Sequence, residues 1–390
     1  MNDFLPLGFS ANGVHAGLKK NPEMPDLALL LANKPCPTAA VLTRNHFPGA
    51  PVKLARQRLA SGRLQALLVN ARYSNVATGE AGFEQALSIC RTLSEKLGIA
   101  EDLSLISSTG IIGRLYPAGV IEKALDPLIS GLGRGQEHLD RVSRAIMTTD
   151  TRPKVISTEI EGSRLVCVAK GSGMIAPNMA TMLVFILSDA LLPPGAAQRL
   201  LRHAADESFN CLSVDSDTST SDSCFLMNSG EAGRVDEAVF GKKLMEICQQ
   251  MAHMVVSDGE GVDKVLCCRI RGAASEEMAR RVGKSVIDSP LVKTMVTGAD
   301  PNWGRLIMAI GKVEGQPELA RCLPTIHLCG QLIFREGKPV DCDLKSISDS
   351  MKNQSDIPID IDLRLGGLEK HFWGANLTKD YVSINADYTS

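Results

Sequence analysis

Short hydrophobic runs alternate with helix-like amphipathic stretches along most of the chain, and this alternation predicts an α/β layered architecture. Runs typical of buried strands occupy residues 64–69, 103–106, 165–169 and 182–187. The C-terminal quarter carries three more strand-like runs, at residues 325–328, 357–363 and 381–385. The sheets are therefore predicted to draw on segments from the whole length of the chain.

Three helices are predicted where apolar positions recur every three or four residues. They cover residues 196–209, about 235–256 and 303–310. Gly195 precedes the first of them, and Gly311 is placed to end the third. Residues 130–140 are predicted to be a surface loop, because their GxGxG run lacks the preceding strand and third glycine of a phosphate-binding fingerprint.

Length and charge exclude several classes of protein. A chain of 390 residues corresponds to about two or three domains, or to one large layered fold. Its 42 basic and 44 acidic side chains leave a net charge of −2, so no basic field is available for nucleic acid or anionic lipid. The longest apolar runs, residues 27–32 and 182–187, fall far short of the roughly 18 residues that span a bilayer. Neither nucleic acid nor membrane is an expected partner.

The cysteines and the N-terminal segment indicate a cytoplasmic protein. The first ten residues have neither a basic region nor a long apolar region of the kind that directs secretion. The 11 cysteines are an odd number and include no CxxC pair, so we expect reduced thiols that mostly serve as small core residues.

The sequence lacks the usual signatures of metal and hydrolase sites. Its seven histidines are isolated, with none of the spacings that predict a zinc site, so no metal is expected. No GxSxG nucleophile elbow is present, and no cysteine lies in a recognisable nucleophile setting.

One segment has a pattern that suits nucleophilic catalysis. In KGSGMIAPNMATML, Thr181 follows Ala180 and directly precedes a strand-like run. A threonine there could attack the preceding carbonyl, free its own α-amine and use that amine as a general base. From the spacing alone, a threonine that merely begins a strand is the simpler interpretation, and the residues themselves leave both open.

The same segment resembles the cleavage and nucleophile segment of the glutamate N-acetyltransferases, also called ornithine acetyltransferases. Other family-like segments follow in the family's order across almost the whole chain. They are SSTGIIG (107–113), IMTTDTRPK (146–154), VDSDTSTSD (214–222), SDGEG (257–261), GADPNWGR (298–305) and INADYTS (384–390). The chain is therefore identified as a member of this family.

The resemblance implies self-cleavage between Ala180 and Thr181. The products would be an α chain of residues 1–180 and a β chain of residues 181–390, the latter ending in a smaller α/β region at about 275–390. The implied fold is an α/β/β/α sandwich of the self-processing aminopeptidase type. Family members imply an (αβ)2 or (αβ)4 assembly and no cofactor.

The resemblance also implies roles for individual residues. Thr181 would carry the acetyl group from N-acetylornithine to glutamate, and the Thr109 hydroxyl and Gly110 N–H would stabilise the oxyanion. The substrate-binding positions implied by the family are Thr149, Lys170, Thr181, Glu260, Asn385 and Ser390. Lys170 and Glu260 supply the cation and the carboxylate that a charged amino acid needs. The DTSTSD segment (217–222) is predicted to be a structural turn near the site, with direct contact left open, and Trp303 a packing anchor.

Departures from the family pattern leave the physiological substrates open. Arg72 and Tyr73 stand where small residues are common, and the GRLYP and TTDTRPK segments are similar to the branch of the family found in antibiotic gene clusters. Four alternatives therefore accompany ornithine acetyltransferase: a hydrolase, an acyltransferase acting on a related amino acid, a bifunctional enzyme that also uses acetyl-CoA, and a relative that never cleaves itself.

Overall fold

A computed structural model describes residues 4–176 and 182–387 of the chain. The described strands are β1 (Phe9–Val14), β2 (Leu27–Leu42), β3 (Arg63–Asn70), β4 (Ser104–Ser108), β5 (Lys154–Ile160), β6 (Ser163–Lys170), β7 (Leu183–Leu191), β8 (Leu212–Ser213), β9 (Ser223–Arg234), β10 (Val265–Ala273), β11 (Thr325–Leu328), β12 (Gln331–Arg335), β13 (Lys338–Pro339), β14 (Asp356–Asp362) and β15 (Leu368–Ala375). They form two sheets.

Helices separate many of these strands. They are α1 (Ala50–Arg58), α2 (Gly79–Leu97), α3 (Val120–Ser130), α4 (Gln136–Ala145), α5 (Ala196–Asp206), α6 (Glu237–Val256), α7 (Glu276–Ile287), α8 (Pro290–Thr297), α9 (Trp303–Gly311), α10 (Leu344–Asn353) and α11 (Lys379–Asp387). The mixture of both element types along the chain confirms the predicted α/β class. Over the described ranges, no helix combines the length and apolar character needed to cross a bilayer.

The eight-stranded sheet has two halves that share the long strand β2. Its order is β4-β3-β2-β9-β7-β6-β5, with β1 also paired to β2. Residues 27–31 and, after a register shift, residues 36–37 of β2 pair with β3, whereas residues 38–42 pair with β9. One continuous strand thus carries the chain from the half built of β1, β3 and β4 to the half built of β5, β6, β7 and β9.

Alternation along β7 explains why this second half is buried on both faces. Phe185 and Leu187 belong to the core that also contains residues of β1 to β4 and of α1 to α4. Val184 and Ile186 point the other way, into a core shared with α5 and α6. Phe185 stacks on Phe225 of the neighbouring strand with ring centroids 6.0 Å apart. The resulting order, helix, sheet, sheet, helix, is that of the predicted α/β/β/α sandwich.

Six strands of the seven-stranded sheet belong to the C-terminal part of the chain, and the edge strand β8 comes from earlier in the sequence. The order of this sheet is β13-β12-β11-β14-β10-β15-β8, and the sheet forms a third core with α7 to α10. The side chain of Trp303 stacks on Phe334 with ring centroids 5.2 Å apart in this region. Trp303 is therefore a packing residue, as predicted.

Most predicted elements are present with shifted ends. The strand-like runs at 64–69, 103–106, 165–169, 182–187, 325–328 and 357–363 are found as β3, β4, β6, β7, β11 and β14. The three predicted helices are found as α5, α6 and α9. The first ends at Asp206 rather than at residue 209, because a short 3-10 turn (Phe209–Cys211) follows it.

Two predictions are wrong. Residues 381–385, predicted as a strand, lie in helix α11, where the Thr378 hydroxyl accepts a hydrogen bond from the Tyr381 N–H (3.1 Å). Their β-branched and aromatic side chains suggested a strand, but no sheet edge is provided for them within the described residues. The predicted loop 130–140 contains the start of α4 from Gln136, whose residues Leu139 and Val142 are buried.

The cysteines are mostly core residues, as expected. All 11 lie within the described ranges, seven of them buried and four partly buried, and none forms a disulfide there. Burial raises the pKa of several thiols, for example that of Cys90 to about 11, which keeps them protonated and unreactive.

Candidate active site

The loop that follows β6 is held by a buried carboxylate. Asp150 Oδ1 accepts a hydrogen bond from the Gly171 N–H at 2.7 Å, and Asp150 Oδ2 accepts one from the Thr148 N–H at 2.9 Å. Lys170, the last residue of β6, is buried beside it. Asp150 thereby joins the TTDT segment to the KGSG segment.

A single lysine links this carboxylate to a third segment. The Lys154 ammonium is fully buried and lies 2.8 Å from Asp150 Oδ1 and 2.5 Å from Asp258 Oδ2. Asp258 also accepts hydrogen bonds from the N–H (3.1 Å) and the hydroxyl of Thr151, and its backbone carbonyl accepts one from Ser172 Oγ at 2.8 Å. One buried cation therefore ties together the segments that carry Thr149, Lys170 and Glu260.

The electrostatics of the cluster follow from burial and from these contacts. Burial alone would raise the pKa of Asp150, but the ammonium groups of Lys170 and Lys154 hold it well below its usual range. Burial lowers the pKa of Lys170, and the carboxylates of Asp150, Glu260 and Asp222 oppose that shift. The charged forms of Asp150 and Lys170 are thus each disfavoured by burial and favoured by neighbouring groups of opposite charge.

A second carboxylate binds the backbone of the residues that precede the predicted cleavage site. Asp215 accepts hydrogen bonds from the N–H groups of Met174 (2.6 Å) and Ile175 (2.7 Å). The Ala176 N–H donates to the Asp217 carbonyl at 3.0 Å. Asp215 and Asp217 therefore fix the residues just before position 177, and Asp217 begins the DTSTSD segment (217–222), which is predicted as a structural turn near the site.

The turn after β4, which carries Thr109 and Gly110, is fixed by two backbone hydrogen bonds. The Thr109 N–H donates to the Asn70 carbonyl (3.1 Å), and the Ile111 N–H donates to the Arg72 carbonyl (2.9 Å). Between them Gly110 has φ +124°, and a Cβ there would lie 2.3 Å from the Arg72 carbonyl carbon. Only glycine fits at this position, because a side chain would displace the turn.

Arg72, one of the departures from the family pattern, forms the wall behind this glycine. Its backbone has φ +81°, in a stretch where Asn75 and Ala77 also have positive φ. A residue other than glycine in the left-handed backbone conformation costs about 1 kcal/mol or more of conformational energy. The strained 72–77 segment therefore packs directly against the turn that contains Thr109 and Gly110 and is hydrogen-bonded to Ile111, the next residue.

The C-terminal helix packs against the SDGEG loop and contributes Asn385 to the site. Asn385 Nδ2 on α11 donates to Glu260 Oε2 at 2.9 Å, and the Thr378 hydroxyl donates to the Gly261 carbonyl at 2.7 Å. Gly261 has φ +68°, and a Cβ there would lie 2.3 Å from the Tyr381 nitrogen. The SDGEG loop and α11 thus pack closely enough to exclude a side chain at Gly261.

These segments enclose one cavity of about 420 Å³. Its lining includes six residues singled out from the sequence: Thr109, Gly110, Thr149, Lys170, Glu260 and Asn385. Met182, which follows Thr181 in the chain, lies in the same wall, as do Ser219 to Asp222 of the predicted turn. A larger cavity, near α1 and α2, contains none of the predicted residues. The six predicted residues are therefore brought together from five separate segments of the chain.

Three of the predicted positions cannot be placed. Ala180, Thr181 and Ser390 lie outside the described residues. The roles assigned to them, and to the six residues of the cavity wall, remain predictions.

The sequence interpretation missed the supporting cluster of Asp150, Lys154 and Asp258. All three belong to family-like segments, TTDTRPK and SDGEG, but no functional position was assigned to them. Their significance comes from burial, because a charged side chain is almost never fully buried unless it is paired. The spacing of residues 154 and 258 gives no sign of their contact.

Replacing Lys154 by methionine is expected to lower the free energy of unfolding by about 3–5 kcal/mol, because two buried carboxylates lose their shared counter-ion. Urea unfolding measures the change. The matched control is Lys243→Met, since Lys243 pairs with Glu246 at 2.7 Å on the surface and such pairs contribute about 1 kcal/mol or less. Equal losses for both variants would contradict the role of the buried cluster.

Comparison with known proteins identifies the family. The ArgJ family model matches residues 10–390. The chain is 37% identical over 389 residues to a protein of Clostridium acetobutylicum named arginine biosynthesis bifunctional protein ArgJ 2, covering 100% of this chain and 99% of that one. It is 39% identical over 388 residues to the glutamate N-acetyltransferase Oat2 of Streptomyces clavuligerus, covering 99% and 98% of the two chains.

A solved structure agrees with these matches. The crystal structure of the arginine biosynthesis bifunctional protein ArgJ of Bacillus halodurans is 34% identical, with a TM-score of 0.50, and covers 53% of this chain and 100% of that one. The family model and the relatives match almost the whole chain, and the sequence identity of 37–39% is evidence of common family membership rather than of a shared fold alone. The resemblance seen in the sequence is confirmed, and this chain belongs to the ArgJ family.

Proposed function

We propose that this protein is an ornithine acetyltransferase, which moves the acetyl group of N-acetyl-L-ornithine to L-glutamate through an ester on Thr181. The observation that carries the proposal is the convergence of six predicted residues on one 420 Å³ cavity, in a chain of the ArgJ family. The cavity has a size suited to a small amino-acid derivative.

The proposed first half-reaction forms the acetyl-enzyme. The Thr181 hydroxyl attacks the acetyl carbonyl of the donor while the Thr181 α-amine accepts the hydroxyl proton. The tetrahedral intermediate collapses with cleavage of the amide C–N bond, and the proton passes from the amine to the departing α-nitrogen of ornithine. In the second half-reaction the glutamate amine attacks the ester, and the Thr181 hydroxyl is regenerated.

The Thr109–Gly110 turn is proposed to bind the oxyanion. Both residues line the cavity, and the strained backbone of Arg72 behind Gly110 fixes the turn. Donors held in place before the reaction stabilise the developing charge without reorganisation, and each contributes about 3 kcal/mol.

The charges of the cavity suit a zwitterionic donor. Lys170 is proposed to bind the carboxylate of N-acetylornithine, and Glu260 its δ-ammonium group. Asn385 orients the Glu260 carboxylate through its 2.9 Å hydrogen bond, and Asp150 holds the loop after Lys170. The separation between the carboxylate and the ammonium group of the donor would thus be matched by the separation between Lys170 and Glu260, whose segments are linked through Lys154.

Self-cleavage between Ala180 and Thr181 is part of the proposal. It would yield an α chain of residues 1–180 and a β chain of residues 181–390 with its smaller α/β region at about 275–390. We further propose assembly of these chains as (αβ)2 or (αβ)4, and a cytoplasmic location, which agrees with 11 unpaired cysteines.

A bifunctional enzyme that also acetylates glutamate from acetyl-CoA is the second candidate. The observation that favours it is the name "bifunctional" borne by the Clostridium acetobutylicum and Bacillus halodurans relatives. Incubation with acetyl-CoA and glutamate, without N-acetylornithine, distinguishes the two. Loss of the acetyl group to water at the same rate with and without glutamate would instead indicate a hydrolase.

Thr181→Ala is expected to give a single uncut chain without transferase activity, because both the attacking hydroxyl and the later nucleophile are removed. Denaturing intact-mass measurement checks this. Wild-type protein should give two chains split at residue 180, with one acetyl group on the β chain after brief exposure to N-acetylornithine. Thr92→Ala on α2, outside the cavity wall, is the control and should behave as wild type. An active or cleaved Thr181→Ala protein would refute the assignment.

Thr109→Ala is expected to lower kcat for acetyl transfer by about 10²–10³-fold, because one oxyanion donor is lost. Thr109→Ser, which keeps the hydroxyl, should retain most of the activity. Steady-state kinetics with both substrates measure the effect. A change confined to KM, or an equal loss in Thr109→Ser, would argue against an oxyanion role.

A further inference from the structure

A thiol, an imidazole and a carboxylate lie together beside a cleft that shares no lining residue with the cavity of the proposed active site. His253 lies in the last turn of α6, Cys267 is the third residue of β10, and Asp356 is the first residue of β14. Their potential ligand atoms all lie within 4.8 Å of one another. Because these residues are 14 and 89 positions apart, sequence spacing gave no sign of the cluster.

Two of the three groups could be explained as an ordinary ion pair. His253 Nε2 lies 2.9 Å from one Asp356 oxygen and 3.1 Å from the other, with side chains 35% and 49% exposed. Such a surface pair contributes about 1 kcal/mol or less and requires no further partner.

The thiol of Cys267 is the third group, and its side chain also packs against the core formed with α5 and α6. Burial raises the pKa of Cys267 to about 12, and the neighbouring Asp356 carboxylate adds to the shift. The sulfur is one of three potential ligand atoms that lie within 4.8 Å of one another, so a cation bound among them would contact all three groups. Thiolate, imidazole and carboxylate together are a donor set typical of zinc.

The backbone around the cluster is held by regular structure. β10 and β14 are parallel, with Val265 opposite Asp356 and Cys267 opposite Pro358. α6 is a 20-residue helix whose apolar face is buried in the core next to these strands. A tetrahedral site with zinc–ligand bonds of roughly 2.0–2.3 Å needs ligand atoms about 3.3–3.8 Å apart, so binding requires the three side chains to rotate from their present separations of up to 4.8 Å.

The cleft leaves room for a fourth ligand. A cavity of about 510 Å³ is lined by His253, Asp356 and neighbouring residues that include Ser257 and Asp263. A water molecule there can complete the coordination, as in zinc sites with three protein ligands.

We propose that His253, Cys267 and Asp356 bind a divalent, thiophilic cation such as Zn²⁺, with water as the fourth ligand. Binding displaces the thiol proton and brings one thiolate and one carboxylate against the two charges of the metal. The site lies beside the SDGEG loop, since the Ser257 N–H donates to the His253 carbonyl at 2.9 Å. The proposal does not depend on the acetyl-transfer reaction.

Titration of the metal-free, full-length protein with Co²⁺ tests the site. We expect one equivalent to bind with a thiolate-to-cobalt charge-transfer band, and Zn²⁺ to displace it. Cys267→Ser should abolish the band. His253→Gln should weaken binding by at least about tenfold, since even partners outside the coordination sphere cost that much.

Cys342→Ser is the matched control, because Cys342 is another partly buried cysteine and lies outside the cluster. This variant should titrate as the wild type does. Unchanged circular dichroism in Cys267→Ser would show that the loss of the band is not a loss of fold. Absence of the band in the wild type, or its persistence in Cys267→Ser, would overturn the proposal.

Discussion

The contact on which the proposed active site depends is that of one buried ammonium group with two buried carboxylates. Lys154 is fully buried between Asp150 and Asp258. Both carboxylates are also buried, so water cannot take the place of the lysine as their partner. Charged groups are removed from water only at a large cost, which their mutual attraction and hydrogen bonds must offset. Because Asp150 and Asp258 also bind the backbone of neighbouring segments, the ion cluster fixes the path of the chain around the cavity.

The architecture explains why these segments meet. Strand β6 ends at Lys170 beside β5, which begins at Lys154, so both lysines lie at the same end of the antiparallel pair. Helix α6 packs on these strands and delivers the SDGEG loop at its C-terminus. The Thr109–Gly110 turn follows β4 in the other half of the sheet. The sandwich therefore supplies a rigid frame, and the site is assembled from the loops at its edge.

The sequence predicted the fold class and most of the elements tested, because buried strands and amphipathic helices have periodic patterns. It failed at residues 381–385, where strand-forming side chains lie in a helix that docks through Thr378 and Asn385 rather than through a sheet. The positions around the cavity came from family-like segments and not from periodicity. Lys154 and the His253 cluster could not be predicted, because the contact of Lys154 with Asp258 joins residues 104 positions apart and that of His253 with Asp356 joins residues 103 positions apart, which no local pattern records.

Hydrogen exchange in wild type and Lys154→Met tests most directly whether the buried cation holds the site together. If it does, amide protection falls together in residues 148–151, 171–176 and 257–260 of the variant, because all three segments lose the same anchor. The internal reference is residues 325–335 of the seven-stranded sheet, which make no hydrogen bond to Asp150, Lys154 or Asp258 in the described part of the chain. These residues should keep their protection. Loss confined to one of the three segments, or an equal loss in the reference strands, would contradict the account.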